Sequence, residues 1–185
     1  MTRVPQVWIA LLRGVNVGGN NKLPMKQFAA LLATLELTSV KTYIQSGNAV
    51  FRGPKGPATA LADTIVSAIE ETFEFRPRVI ALTRNDLANA IAANPFPEGD
   101  DQDGRKLHLF FLGRAPKAID AAGLEAVKRP TERWKADGPY FYLYAPEGFG
   151  TSKLAGKVEK CVGVPATARN WRTVRELLKL ADAIA

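Results

Sequence analysis

Hydrophobic positions fall into short runs and helical repeats whose order predicts most of the architecture. Residues 7–13 (VWIALLR) are an apolar run bounded by Pro5 and Gly14, the pattern of a buried strand. After a turn-rich loop, Pro24 suits a first helical position. Met25, Phe28, Leu31, Leu32 and Leu35 then recur at helical spacing, which predicts an amphipathic helix over 24–36. Residues 39–45 and 48–53 read as two strands joined at Ser46-Gly47. A two-residue turn there gives Gly47 a positive φ and sets Gln45 opposite Asn48. Beyond Pro57, Leu61, Ile65, Ile69 and Phe73 line one helical face, and residues 78–82 (RVIAL) form a fourth strand. Strand, helix, strand, strand, helix, strand is the order of a ferredoxin-like βαββαβ unit.

The second half is patterned less regularly. Thr83 with Asp86 is a capping signal for a helix over about 84–93, which stops at Asn94-Pro95. The segment 95–104 (PFPEGDDQDG) reads as a linker or exposed loop. Its carboxylates lack calcium-loop spacing and are expected to be solvated. A strand over 106–112 follows, then a short helix from Pro116, an ambiguous stretch over 124–137 with one or two short strands around Trp134, and a clear strand over 140–145. The loop 146–150 opens a helix from Thr151 or Ser152 to about Cys161. An extended piece at 165–168 precedes a last helix from Trp171 to about Ile184, capped by Asn170, with Val174, Leu177, Leu178 and Ala181 facing the core. The fold class is therefore α+β: a ferredoxin-like domain over 1–94, a connecting loop over 95–104, and a smaller α+β subdomain over 105–185 packed on it. The passages ALLRG and FFLGR invite a repeat reading, but two short matches do not establish one.

Charge adds a location to this picture. The formal net charge is +7, and the surplus lies at the two ends. Residues 1–35 carry Arg3, Arg13, Lys22 and Lys26 with no carboxylate, and the last 36 residues are also basic, while the middle is nearly balanced. The single Cys forbids an intramolecular disulfide, which fits a reducing compartment. The apolar stretch Val7–Leu12 is too short for a signal sequence, and no run approaches the ~20 residues that cross a bilayer. A cytoplasmic protein without membrane association is expected. Nothing in the pattern fixes an oligomeric state.

The loop from Arg13 to Lys22 (RGVNVGGNNK) carries the most chemistry. Gly14, Gly18 and Gly19 permit positive φ and bring N–H groups to a surface, Asn16 adds an amide, and Arg13 and Lys22 flank them. These residues suit a phosphate or carboxylate, although the spacing is neither a P-loop nor a dinucleotide fingerprint. A purely structural strand-to-helix connection uses the same glycines. Gln45 and Asn48, beside Tyr43, offer amides for a base edge or polar ligand, or stabilise their own hairpin. Ser152 and Lys153 sit at a helix start where capping is the simpler role. Arg169 and Asn170 stand at the mouth of the last helix, where an arginine can reach an anion and an asparagine can cap, with Trp171 in the core.

Conventional catalytic sets are missing. The only histidine, His108, alternates with apolar strand residues and is expected to be a satisfied strand histidine. Cys161 is expected to be an inert packed thiol. One His and one Cys leave no zinc set, so neither metal nor cofactor is expected, and no carboxylate pair lies near the glycine loop.

Three segments in order, ALLRGVNVGGNNKLPM, TYIQSGNAVF and TARNWRTVRELLKL, closely resemble the bacterial domain-of-unknown-function family 1697, over Val7 to about Leu180. The motif positions are Arg13, Gly14, Asn16, Gly18, Gly19, Lys22, Tyr43, Gln45, Ser46, Gly47, Asn48, Arg169, Asn170 and Trp171. The resemblance implies an α+β protein with a ferredoxin-like N-terminal part and implies no activity. Binding of an anionic small molecule, a nucleotide or another phosphate-containing compound, is the leading expectation, with Arg13, Gly14, Asn16, Gly18, Gly19, Lys22, Gln45, Asn48, Arg169 and Asn170 as candidate ligands. RNA or other nucleic-acid binding is the first alternative, suited by the basic pI, although the strand NAVFRG lacks paired stacking aromatics. A protein-interaction module without a small ligand is the second.

Overall fold

The computed structural model describes residues 5–185; Arg3 lies outside the described residues. The chain divides into two units. One runs to Asn89 and takes back Glu176–Ala185 at the end of the chain, and the other covers Ala90–Arg175.

The first unit is built from β1 (Gln6–Arg13), α1 (Met25–Thr34), β2 (Thr38–Thr42), β3 (Asn48–Gly53), α2 (Ala58–Phe73) and β4 (Arg78–Thr83), with α3 (Arg84–Ala92) following. Its sheet is antiparallel in the order β2-β3-β1-β4, as the strand sequence predicts. Alternation along β1 sends Trp8, Ala10 and Leu12 to a core with Phe28 and Leu32 of α1 and Ile65 and Ile69 of α2. Ile9 and Leu11, on the opposite face with Val50 of β3, are also fully buried. The unbroken apolar run VWIALL therefore belongs to a strand buried on both faces. Part of that second face is closed by the end of the chain. Arg52, two residues beyond Val50, donates from Nε to the carbonyl of Ile184, and Arg84 pairs with Asp182 at 2.7 Å.

The second unit repeats this topology. It contains β5 (Leu107–Leu112), α4 (Ala121–Glu125), β6 (Arg133–Asp137), β7 (Tyr140–Tyr144), α5 (Lys153–Val162) and β8 (Ala166–Asn170), in the order β6-β7-β5-β8, and α6 (Trp171–Ala183) follows. The register makes the correspondence residue by residue. Trp8 pairs with Thr83 and His108 pairs with Asn170, in each case the last residue of the fourth strand. Each of those residues caps the next helix. The Thr83 hydroxyl accepts from Asp86 N at 3.0 Å while Asp86 accepts from Thr83 N at 2.9 Å, and Asn170 accepts from Thr173 N at 2.9 Å. The passages ALLRG and FFLGR thus occupy equivalent strand ends, so the repeat is real at the level of topology.

Several boundaries differ from the pattern-based expectation. The helix expected from Pro116 begins at Ala121, because Asp120 supplies the cap by accepting from Gly123 N at 2.9 Å. The ambiguous stretch resolves into the end of α4 and the single strand β6. The carboxylates of 95–104 are paired rather than merely solvated: Asp100 meets Arg175 at 2.6 Å, Asp101 meets Lys106 at 3.4 Å, and Glu98 pairs with Arg133. Asp101 also accepts from Gly104 N at 2.7 Å, and this backbone bond holds its carboxyl below the usual range. The two-residue hairpin is a four-residue loop, because Tyr43 N donates to Asn48 O at 3.1 Å and Asn48 Nδ2 returns a bond to Tyr43 O at 3.1 Å. Asn48 therefore stands opposite Tyr43, and Gln45 lies in the loop 44–47.

Candidate functional site

The glycine loop leaves β1 at exposed Arg13 and returns to α1 through Leu23 and Pro24. Its tip is a tight turn. Asn20 N donates to Val17 O at 3.0 Å, and Gly18 and Gly19 between them have φ of 58° and 80°. Two successive positive φ values define a type I′ turn, which explains the glycine pair. A Cβ on Gly18 or Gly19 would meet nothing within 4 Å, so the tip stands clear of the fold. Beneath it, Asn16 is the organising residue. Its Oδ1 accepts from Leu23 N at 2.8 Å, and its Nδ2 donates to Leu23 O and to Gln45 O, both at 2.9 Å. Asn21 Nδ2 closes the base by donating to Gly14 O at 2.8 Å.

The loop is thereby locked to the hairpin tip 44–47. Gly47 completes the lock: its carbonyl accepts from Leu12 N at 2.8 Å, and a Cβ there would lie 2.6 Å from Leu12 Cβ and 2.7 Å from Val15 Cγ2. With φ of +73°, as the turn chemistry predicts, this position requires glycine.

The structure sorts the candidate residues into two groups. Arg13, Gly14, Gly18, Gly19, Lys22 and Gln45 are exposed in the two joined loops. The amides of Gly18 and Gly19 have no protein hydrogen-bond partner among the described residues, and Lys22 has no ion pair there. Asn16 and Asn48 spend their amides on backbone, Asn48 being fully buried. Arg169 and Asn170 belong to the second unit. Arg169 is buried and donates to Thr167 Oγ1 at 2.8 Å and Ala168 O at 2.9 Å, and burial lowers its pKa to about 10. Asn170 caps α6.

Two features escaped the residue pattern. Val17 and Ile44, 66% and 48% exposed, are large apolar side chains presented by the same two loops. Ile44 also adopts φ of +48°, a conformation that a β-branched residue rarely takes. In the second unit, His108 Nδ1, Glu132 Oε1 and Trp171 Nε1 are buried without partners among the described residues, so His108 is not the satisfied strand histidine expected. Its ring stacks on Phe149 with centroids 3.8 Å apart. Cys161 is a buried free thiol in the core of that unit, as expected. Among the described residues no cluster of three His, Cys, Asp or Glu forms a metal set, and no helix is long and apolar enough to cross a membrane.

Comparison with known proteins bears on this arrangement. The model of a family described as a protein of unknown function, DUF1697, matches residues 6–142. The chain belongs to this family. Among solved structures it is similar to the conserved bacterial protein SP0830 from Streptococcus pneumoniae, with a TM-score of 0.70 at 21% identity, covering 96% of this chain and 99% of that one. That likeness concerns the fold. A search of curated proteins gave no match. The DUF1697 match includes both loops of the candidate site and ends within β7, before Arg169 and Asn170.

Proposed function

We propose that this DUF1697 protein binds a phosphate-containing anionic small molecule at the joined loops 13–22 and 44–47. The observation that carries the reading is the pair of exposed glycine amides, without a protein partner among the described residues, at the tip of a loop flanked by Arg13 and Lys22 in a stretch that contains no carboxylate before Glu36. Free N–H groups at a protruding turn, in a loop flanked by cations, favour negative charge. The Asn16 amide bonds hold the turn in place before any ligand arrives, which reduces the ordering cost of binding. The helix after the loop adds to the field: α1 starts at Met25 with no side-chain cap and no acid in its first turn.

Titration with inorganic phosphate and with ADP, followed by amide shifts, tests this reading. Saturable shifts at Gly18 and Gly19 are expected, with affinity about five-fold lower in Lys22→Gln, the effect of one exposed charge worth about 1 kcal/mol. Unmoved Gly18 and Gly19 signals with both probes would refute it.

Base stacking on the first sheet is disfavoured. Ala49, Val50 and Phe51 of β3 are fully buried, as are Ile9 and Leu11 beside them, so neither face is open for RNA in the manner of an RRM. A protein partner is favoured by one specific observation, the exposed and strained Ile44 in the hairpin loop that Asn16 ties to the loop carrying exposed Val17. Strain kept at an exposed apolar residue is explained by contact with something outside the fold. Ile44→Asn is expected to stabilise the isolated protein by about 1 kcal/mol, because asparagine tolerates the left-handed region. Urea unfolding measures this, and an unchanged or lowered midpoint removes the strain argument.

A further inference from the structure

A cleft of about 230 Å³ opens in the first unit at the other end of β1 from the glycine loop. Its walls are Trp8, Leu35, Leu37, Pro54, Pro57 and Leu61, drawn from the start of β1, the α1–β2 connection, the β3–α2 loop and the first turns of α2. Trp8 Nε1 donates to Pro54 O at 3.1 Å, which fixes the loop against the indole and satisfies the only polar atom of that ring. Apart from Lys55 and Thr64, the side chains that remain to line it are apolar. An apolar cavity of about 150 Å³ is enough to hold benzene, so this cleft has room for a substituted ring or a branched chain.

The mouth is polarised. Exposed Lys55 stands on its rim, and α2, a helix of 16 residues, begins there after Pro57 with no side-chain cap and no acidic residue in its first turn. The first amides of α2 have no intrahelical acceptor. The acidic residues nearby, Asp63 and Glu71, line an adjoining depression that shares Leu35 and Thr64 with the cleft. Negative charge on a ligand is thus favoured at the Lys55 end and opposed at the other, which sets one orientation.

We propose that this cleft binds a small carboxylate bearing an apolar ring or branched chain, with the apolar part against Trp8 and Leu61 and the carboxylate at Lys55 and the first turn of α2. The site is separate from the glycine loop, so either proposal can fail alone.

The test uses the full chain and phenylacetate as probe, with 2-phenylethanol as its neutral counterpart, read by shifts of the Trp8 indole N–H and the amides of Ala58, Thr59 and Ala60. A ligand of this size is expected to bind with a dissociation constant of about 1–10 mM. The alcohol is expected to bind about five-fold more weakly, and Lys55→Gln to lower phenylacetate affinity about three-fold, as one exposed charge allows. Ala60→Phe, at an exposed lining position, is expected to fill the cleft and abolish the shifts with the remaining spectrum intact. If that variant fails to fold, Thr64→Phe at another exposed lining position replaces it. Absence of saturable shifts, equal binding of the alcohol, or shifts that persist in the filled variant would each overturn the proposal.

Discussion

Deleting residues 176–185 is expected to remove most of the stability of the first unit. The segment belongs to that unit although the helix containing it starts in the other. Leu177 and Ala181 on it are fully buried. Loss of a buried leucine alone costs about 2–5 kcal/mol. The deletion also takes away Ile184 and Asp182, the partners of Arg52 and Arg84. It leaves Ile9, Leu11 and Val50 on a face that Arg52 shows to be closed partly by the chain end. The combined loss is about 5 kcal/mol or more, comparable with the whole stability of a typical domain. Urea unfolding followed by circular dichroism should show the cooperative transition abolished or its midpoint collapsed. A shorter deletion of 182–185 keeps Leu177 and Ala181 and is expected to cost only about 1 kcal/mol, since it removes two partly exposed polar contacts. Equal midpoints for the full chain and the 176–185 deletion would show that the chain end does not support the first sheet.

That role of the chain end was not legible in the residue pattern, and the reason is physical. Periodicity reports which face of a helix is buried but not which sheet it meets, so Val174, Leu177 and Ala181 were identifiable as inward-facing without their destination. The strand order of the first unit was legible because each of its elements has a strong local signal: the run VWIALL, the four-residue spacing from Leu61 to Phe73, and the proline-bounded strand ending at Leu82. The second unit repeats the order with weaker signals. Its first helix has five residues, too few for a period to declare itself, and its cap, Asp120, lies four residues beyond the proline that suggested a start.

At the candidate site, sequence located the loop but not the allocation of its amides. A Gly/Asn-rich connection is compatible with a ligand cradle and with an internally bonded turn, because asparagine serves both. The structure divides these roles within one loop: Asn16 is consumed by Leu23 and Gln45, and the Gly18-Gly19 tip is left outward. The shortest turn sets Gln45 opposite Asn48, and the observed tip is longer than that. The tip is longer because Ile44 enters the left-handed region, which no propensity rule expects of isoleucine. Charge alone makes Arg169 a candidate anion ligand, whereas the structure buries it with hydrogen bonds to Thr167 and Ala168 of its own strand.

Acidification is expected to destabilise the protein through His108, the chain's only histidine. His108 is paired with Leu143 on one side and Asn170 on the other, its ring stacks on Phe149, and burial lowers its pKa from 6.5 to about 4. The unfolded chain therefore takes up a proton at a pH where the folded chain does not. Stability is unaffected by this group above pH 6.5, falls as the pH drops through the window down to about 4, and levels below it. A shift of this size corresponds to about 3 kcal/mol across the window, at 1.36 kcal/mol per unit. Carboxylates begin to titrate only near the lower end, so the upper part of the slope belongs to His108. His108→Phe retains an aromatic ring against Phe149, removes the unpartnered Nδ1, and abolishes the proton uptake. Its unfolding free energy, measured by urea titration from neutral pH through the window, should exceed that of the natural protein by a margin that widens as the pH falls. Parallel pH profiles for the two proteins would show that the imidazole is protonated equally in the folded and unfolded chains, and that its burial does not shift its titration.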